Sequence, residues 1–166
     1  MRKINTGPRN NFFLGLYLHV PFCSTTCDFC AFYQERPSKK GFELLFSGLE
    51  KEFELFPGNR SFSTVFIGGG TPGVLQPSQI RRLGQLINSM DLMDGVEWSM
   101  EIAPAEITSE KLEVISEIGV NRISLGVQTF NSKLMKELGR IHDVDQAVRA
   151  YHMIREAGFS SVNLDL

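Results

Sequence analysis

Residues 14–30 read LGLYLHVPFCSTTCDFC. The first seven alternate between apolar and other positions and read as a strand. That strand leads into the only three cysteines of the chain, Cys23, Cys27 and Cys30. Their Cys-x3-Cys-x2-Cys spacing puts three thiols on one short loop. Three thiolates this close can hold three corners of an iron–sulfur cube and leave a fourth iron without a protein ligand. The rival is structural zinc, with His19 as a fourth ligand. Zinc sites more often use two separated ligand pairs around a loop. An odd, clustered set of cysteines makes a poor disulfide framework and fits a reducing compartment, so a cytoplasmic location is expected.

Outward from this segment the chain alternates strand and helix. Residues 39–56 place Phe42, Leu45, Phe46, Leu49 and Phe53 on one helical face, with Ser38 as a candidate N-cap. Residues 62–67 (FSTVFI) read as a strand apolar on both faces, and therefore as buried. Pro77 and Ser78 open a helix carrying Ile80, Leu83, Leu86 and Ile87. Residues 96–102 (VEWSMEI) alternate strictly. Thr108 caps a helix that Gly119 closes, 121–127 alternate again, and Asp143 opens a helix running to Ala157. A last strand begins at 161. Alternation of this kind predicts an α/β fold with a parallel sheet.

Strand parity is more specific. Glu97, Ser99 and Glu101 oppose Val96, Trp98, Met100 and Ile102. Arg122, Ser124 and Gly126 oppose Ile123, Leu125 and Val127, while Asn163 and Asp165 oppose Val162 and Leu164. The interior of a TIM barrel is normally filled with Val, Ile and Leu. A polar inner face instead predicts a cleft that holds a polar ligand.

The groups able to do chemistry fall at the carboxyl ends of the strands, where parallel α/β folds bind ligands. The cysteines follow the first strand and Gly68-Gly69-Gly70-Thr71-Pro72 the second. Glu101 ends the third, Gln128 and Thr129 the fourth, and Asp165 lies on the fifth. A triple glycine lets backbone approach a ligand and present N–H groups, and GxxxxGK[ST] is absent. Glu101 and Asp165 need partners if they face inward. Arg140 reads most simply as a surface arginine.

The bulk numbers fit a single domain with a substantial core. The chain has 166 residues, 42% of them hydrophobic, with 17 basic and 19 acidic side chains. That balance argues against a nucleic-acid partner. No apolar run approaches the roughly 20 residues a membrane span needs. Residues 1–13 read as a polar N-terminal segment without the apolar stretch of a signal peptide.

Taken together, these motifs resemble a known family. Cys23-x3-Cys27-x2-Cys30, with Phe29 before the last thiol, is similar to the radical S-adenosylmethionine signature. LYLHVPFCSTTCDFCAFY, FIGGGTP, NRISLGVQTF, LGRIH and VNLDL resemble the oxygen-independent coproporphyrinogen III oxidase family, which includes the heme chaperone HemW. The resemblance implies a partial TIM-like (β/α)6 barrel, of which 14–166 would be the N-terminal part, ending within the fifth strand. It implies a [4Fe–4S] cluster on Cys23, Cys27 and Cys30, with S-adenosylmethionine on the open iron. Cleavage of its sulfonium would give a 5′-deoxyadenosyl radical. Tyr17 and Phe29 would lie beside the cofactor, and Gly69, Gly70 and Thr71 would hold its amino acid end. Glu101, Gln128, Arg140 and Asp165 would complete the pocket. An electron donor such as flavodoxin or ferredoxin, and heme or a porphyrinogen, would be the partners. Phe32 stands where the oxidase carries a fourth cysteine, which favours the chaperone branch over the oxidase; a zinc-binding scaffold is the remaining alternative. Ala103 departs from the Asn or Asp usual before Pro104.

Overall fold

The computed structural model describes residues 14–56 and 60–166; the segment 1–13, read above as a polar extension, lies outside the described residues. Five strands form one parallel sheet in sequential order: β1 (Leu14–Val20), β2 (Phe62–Gly69), β3 (Leu92–Ile102), β4 (Arg122–Gly126) and β5 (Ser161–Asp165). Each strand lies beside the next, and helices connect them: α1 (Lys39–Leu55), α2 (Pro77–Asn88), α3 (Ser109–Glu117), α4 (Ser132–Glu137) and α5 (Val144–Glu156). Sequential order without reversal is the winding of a barrel, and five strands make a partial one.

The caps lie where side-chain chemistry predicts. Ser38 accepts from the Gly41 N–H, Thr108 from Lys111 and Asp143 from Gln146. Each oxygen satisfies one donor left open at a helix start. Gly119 closes α3 with φ +110°, a conformation few other residues adopt. Two features escaped the periodicity reading. β3 begins four residues earlier than expected, at Leu92. The six-residue α4 is too short for an apolar period; its signal is local, Asn131 accepting from the N–H groups of Lys133 and Leu134.

The core lies between the apolar strand face and the helices. Leu18, Val65, Ile67, Trp98, Met100, Ile123 and Leu125 from the sheet meet Phe46, Ile80, Leu83, Ile87, Leu112, Ile115 and Ile154 from the helices. Residues of opposite parity line up across the other face: Tyr17 beside Phe66, Phe66 beside Ser99, Ser99 beside Arg122, Arg122 beside Ser161. One expectation fails here. β2 is not buried on both faces: Thr64 is exposed and Phe66 is 37% exposed. Its apolar inner residue lies over Gly68 and stacks on Tyr17, with ring centroids 6.0 Å apart. Composition alone cannot distinguish that from burial under a second layer.

Candidate functional site

The cysteine loop is pinned to the sheet at its base. The Cys23 N–H donates to Glu35 O at 3.0 Å and the Glu35 N–H to Pro21 O at 2.6 Å. This pairing makes a short parallel bridge between Phe22 and Glu35. The glycine loop docks beside it: the Gly70 N–H donates to Val20 O and the Thr71 N–H to Phe22 O, both at 2.8 Å. Only glycine allows this approach. A Cβ on Gly70 would lie 2.6 Å from Phe22 O and 2.9 Å from Cys23 Sγ. Gly69 has φ +118°, and its Cβ would meet the His19 ring and Val20 O at 2.8 Å. A Cβ on Gly68 would strike Glu101 Oε2, also at 2.8 Å.

These contacts enclose a cavity of about 300 Å³ at the carboxyl end of the sheet. Its walls include all three thiols, Phe29, Gly69, Gly70, Thr71, Glu101, Gln128, Arg140 and Asp165. Eleven of the twelve residues singled out from the sequence therefore share one cavity. Tyr17 does not line it; its ring is 58% exposed on the inner face and its hydroxyl lies 3.1 Å from His19 Nδ1. His19 is likewise not among the residues that line the cavity.

Two of the thiols are already engaged. Cys23 Sγ lies 3.5 Å from Thr71 Oγ1, and Arg140 Nη1 donates to Cys27 Sγ at 3.2 Å. Burial pushes the Cys23 thiol up, opposed by Thr71 and further raised by Cys30 and Cys27. Among the described residues no three Cys, His, Asp or Glu side chains converge on a closed metal site. The thiols share a wall without meeting at a point.

The opposite wall is a hydrogen-bonded carboxylate system. Glu101 Oε2 accepts from the Gly69 N–H at 3.2 Å. Burial raises the Glu101 carboxyl; the Gly69 N–H lowers it, Asp165 raises it and His19 lowers it. Asp165 accepts from Ser124 Oγ at 3.0 Å and from Asn163 Nδ2 at 2.6 Å. Gln128 has φ +71°, the one left-handed non-glycine residue among those described, and its N–H donates to Asp165 O at 2.7 Å. Strain of this kind collects at binding sites.

Sequence reasoning missed three contributors. Ser24 donates to Glu106 Oε1 at 2.6 Å, tying the cysteine loop to the turn after β3. Asn163 braces Asp165. His142, only 4% exposed, lines the cavity; burial, and then the Arg140 charge, push its pKa below the ordinary histidine value. It closes the LGRIH stretch, where only the arginine drew attention. Arg140 itself, rated a surface residue on sequence pattern, is half-buried and aimed inward. Of three buried side-chain nitrogens without a protein partner among the described residues, two are Arg140 Nε and His142 Nε2. Unpaired buried groups are costly, and both belong to residues that line the cavity.

The soft donor set, the glycine floor and the unpaired nitrogens fit an iron–sulfur cluster beside a polar, amine- and carboxylate-bearing ligand. Among the described residues no helix is long and apolar enough to cross a membrane.

Comparison with known proteins agrees with this geometry. The profile of the radical SAM superfamily matches residues 17–166. The heme chaperone HemW of Lactococcus lactis subsp. lactis is 37% identical over 151 residues, 90% of this chain and 40% of its own length. The oxygen-independent coproporphyrinogen III oxidase of Paracoccus denitrificans is 37% identical over 161 residues, 92% of this chain and 35% of its own length. The structure of the Escherichia coli coproporphyrinogen III oxidase HemN, a radical SAM enzyme, superimposes with a TM-score of 0.82 at 34% identity, covering 92% of this chain and 36% of that one. The chain thus spans about two fifths of the curated relatives it matches. It belongs to the radical SAM superfamily, and within it to the family that HemW and HemN share.

Proposed function

We propose that this chain is the cofactor-binding part of a HemW-like heme chaperone that carries a [4Fe–4S] cluster and S-adenosylmethionine. One observation carries the reading: the three thiols, the glycine loop and the inward-facing Glu101, Gln128, Arg140 and Asp165 line a single cavity. Cys23, Cys27 and Cys30 would hold the cluster. Gly69, Gly70 and Thr71 would present backbone to the amino acid end of the nucleoside, with Phe29 against it. Glu101 is the natural partner for its ammonium, since a positive charge there offsets the cost of burying the carboxylate. Asp165, held by Ser124 and Asn163, presents an acceptor suited to a ribose hydroxyl. Bound together, cluster and S-adenosylmethionine supply one-electron cleavage of a carbon–sulfur bond; the protein contributes position and electrostatics.

Phe32 supports the chaperone over the oxidase. It occupies the position of the oxidase's fourth cysteine and is 72% exposed at the cavity mouth, offering an apolar face where a thiol would otherwise stand. The names of several relatives agree. The protein would then bind heme or a porphyrinogen and draw electrons from a flavodoxin- or ferredoxin-like donor.

Anaerobic reconstitution tests the reading. About four irons per chain are expected, with an EPR signal that shifts when S-adenosylmethionine is added. Stoichiometric zinc and no visible absorption would leave only a zinc-binding scaffold. Heme binding without turnover of coproporphyrinogen supports the chaperone; anaerobic decarboxylation of coproporphyrinogen supports the oxidase.

A further inference from the structure

Arg140 makes a contact that cofactor binding does not require. Its Nη1 donates to Cys27 Sγ at 3.2 Å and its Nη2 to Gly126 O at 2.5 Å, so the guanidinium bridges the cysteine loop and the end of β4. The backbone sets up this bridge. The Arg140 N–H donates to Met135 O at 3.0 Å, closing α4. Gly139, at φ +68°, turns the chain toward the cysteine loop, where Asp28 lies against it; a Cβ there would sit 3.1 Å from Asp28 Oδ2. The segment between Cys27 and Cys30 thus rests on the end of α4 at two places. Nε is buried and has no hydrogen-bond partner among the described residues.

We infer that Arg140 is a positioning residue for the cluster, with its guanidinium setting the reduction potential through the Cys27 sulfur. The inference rests on the cluster reading above. Reduction adds one electron, from dithionite in the assay, and leaves the cluster and its thiolates one unit more negative. A fixed cation and an N–H···S bond stabilise that state over the oxidised one, so they raise the potential. Guanidinium stays charged at any working pH, and the second bond to Gly126 O holds its plane in place. An ammonium in its place would supply charge without the rigid fork.

The test is a potentiometric dithionite titration of the reconstituted chain, followed by EPR, before any S-adenosylmethionine is added. Arg140→Gln should lower the reduced-to-oxidised ratio at a given potential about tenfold, equivalent to about 59 mV for one electron. Arg140→Lys should fall between. An unchanged midpoint in Arg140→Gln with a full iron complement overturns the inference and leaves the cluster reading standing. Zinc in place of iron in the unaltered protein overturns the cluster reading itself. Should Arg140→Gln hold no cluster, 15N-arginine-labelled protein decides by pulsed EPR. A 15N coupling on the reduced cluster, lost in Arg140→Lys, supports the contact, and no coupling in the labelled wild type overturns it.

Discussion

Glu101 reaches from the end of β3 to the Gly69 N–H, 3.2 Å away, and does so over a residue with no side chain, Gly68. The carboxylate is thereby fixed at the cavity with one oxygen used and, among the described residues, one without a hydrogen-bond partner. Replacing it by Gln keeps an acceptor for Gly69 and removes the charge. A charge-assisted hydrogen bond contributes about 1.5–3 kcal/mol. Glu101→Gln should therefore weaken S-adenosylmethionine binding roughly tenfold to a hundredfold, read by calorimetry on the cluster-loaded chain. Unchanged affinity would place the ligand's ammonium elsewhere.

The same residue predicts a pH dependence without ligand. Burial lifts the Glu101 carboxyl above its unfolded value, with Asp165 adding to the rise. The folded chain then holds that proton more tightly than the unfolded chain. Glu101 costs stability as pH rises from the ordinary carboxyl range through the raised folded value, and costs none below it. Relative to wild type, Glu101→Gln should gain thermal stability as pH rises from the ordinary carboxyl range through the raised folded value. Parallel melting curves for the two proteins across that range would rule out burial as the governing effect.

Gly70 and Gly48 make a matched pair. A Cβ on Gly70 would lie 2.6 Å from backbone, Phe22 O, and 2.9 Å from Cys23 Sγ, whereas one on Gly48 in α1 meets nothing within 4 Å. Gly48→Ala should stabilise by about 0.5–1 kcal/mol through helix propensity. Gly70→Ala should keep the far-UV circular dichroism of the wild type yet fail to load iron, because the clash falls on the backbone that seats the first cysteine. Full iron in Gly70→Ala would mean that the glycine loop and the cysteine loop move independently.

In the α2–α3 contact the same substitution should have the opposite sign. A Cβ on Gly84 would lie 2.4 Å from Ile118 Cγ2 and 2.5 Å from its Cβ. Alanine gains about 1 kcal/mol as a helix former, while overpacking costs about 1–3 kcal/mol. The obstructing Cβ is fixed to the backbone and cannot rotate away, so overpacking should win. Gly84→Ala should melt lower, by about 2–4 °C per kcal/mol in a chain of this length. A higher melting temperature would show that the helices separate without cost.

How much of this was legible in the sequence follows from the range of each interaction. Trp98, Met100 and Ile123 announce a buried face because period-2 alternation is local, and Ser38, Thr108 and Asp143 announce helix starts because a cap acts within three residues. The carboxyl-end placement of Glu101, Gln128 and Asp165 followed from parity and strand order alone. Arg140 and His142 were not legible that way. They sit after a six-residue helix with no apolar period, and what turns them inward is the fold's return of α4 against the cysteine loop, 113 residues from Cys27 to Arg140 in sequence. The Ser24–Glu106 bond spans 82 residues and leaves no local trace. The resemblance to a known family supplied Arg140 where pattern could not. Tyr17 was supplied the same way, and its ring lies outside the cavity wall.

Gln128 offers a way to separate backbone from side chain. At φ +71° it sits where a non-glycine residue costs roughly 1–2 kcal/mol, and its N–H is committed to Asp165 O. Glycine removes that strain and adds about 0.5–1 kcal/mol of chain entropy to the cost of folding. Gln128→Gly should therefore leave the denaturation midpoint within about 1 kcal/mol of wild type while losing the amide that lines the cavity. Gln128→Val loses the same amide and puts a β-branched residue into the left-handed region, so it should be the less stable of the two. If Gln128 is there for its side chain, both variants bind S-adenosylmethionine equally poorly despite their different stabilities. If it is there only to turn the chain toward Asp165, Gln128→Gly binds like wild type and Gln128→Val alone fails. Paired urea melts and ligand titrations on the two proteins distinguish these outcomes, and equal weakening of binding is the expected one.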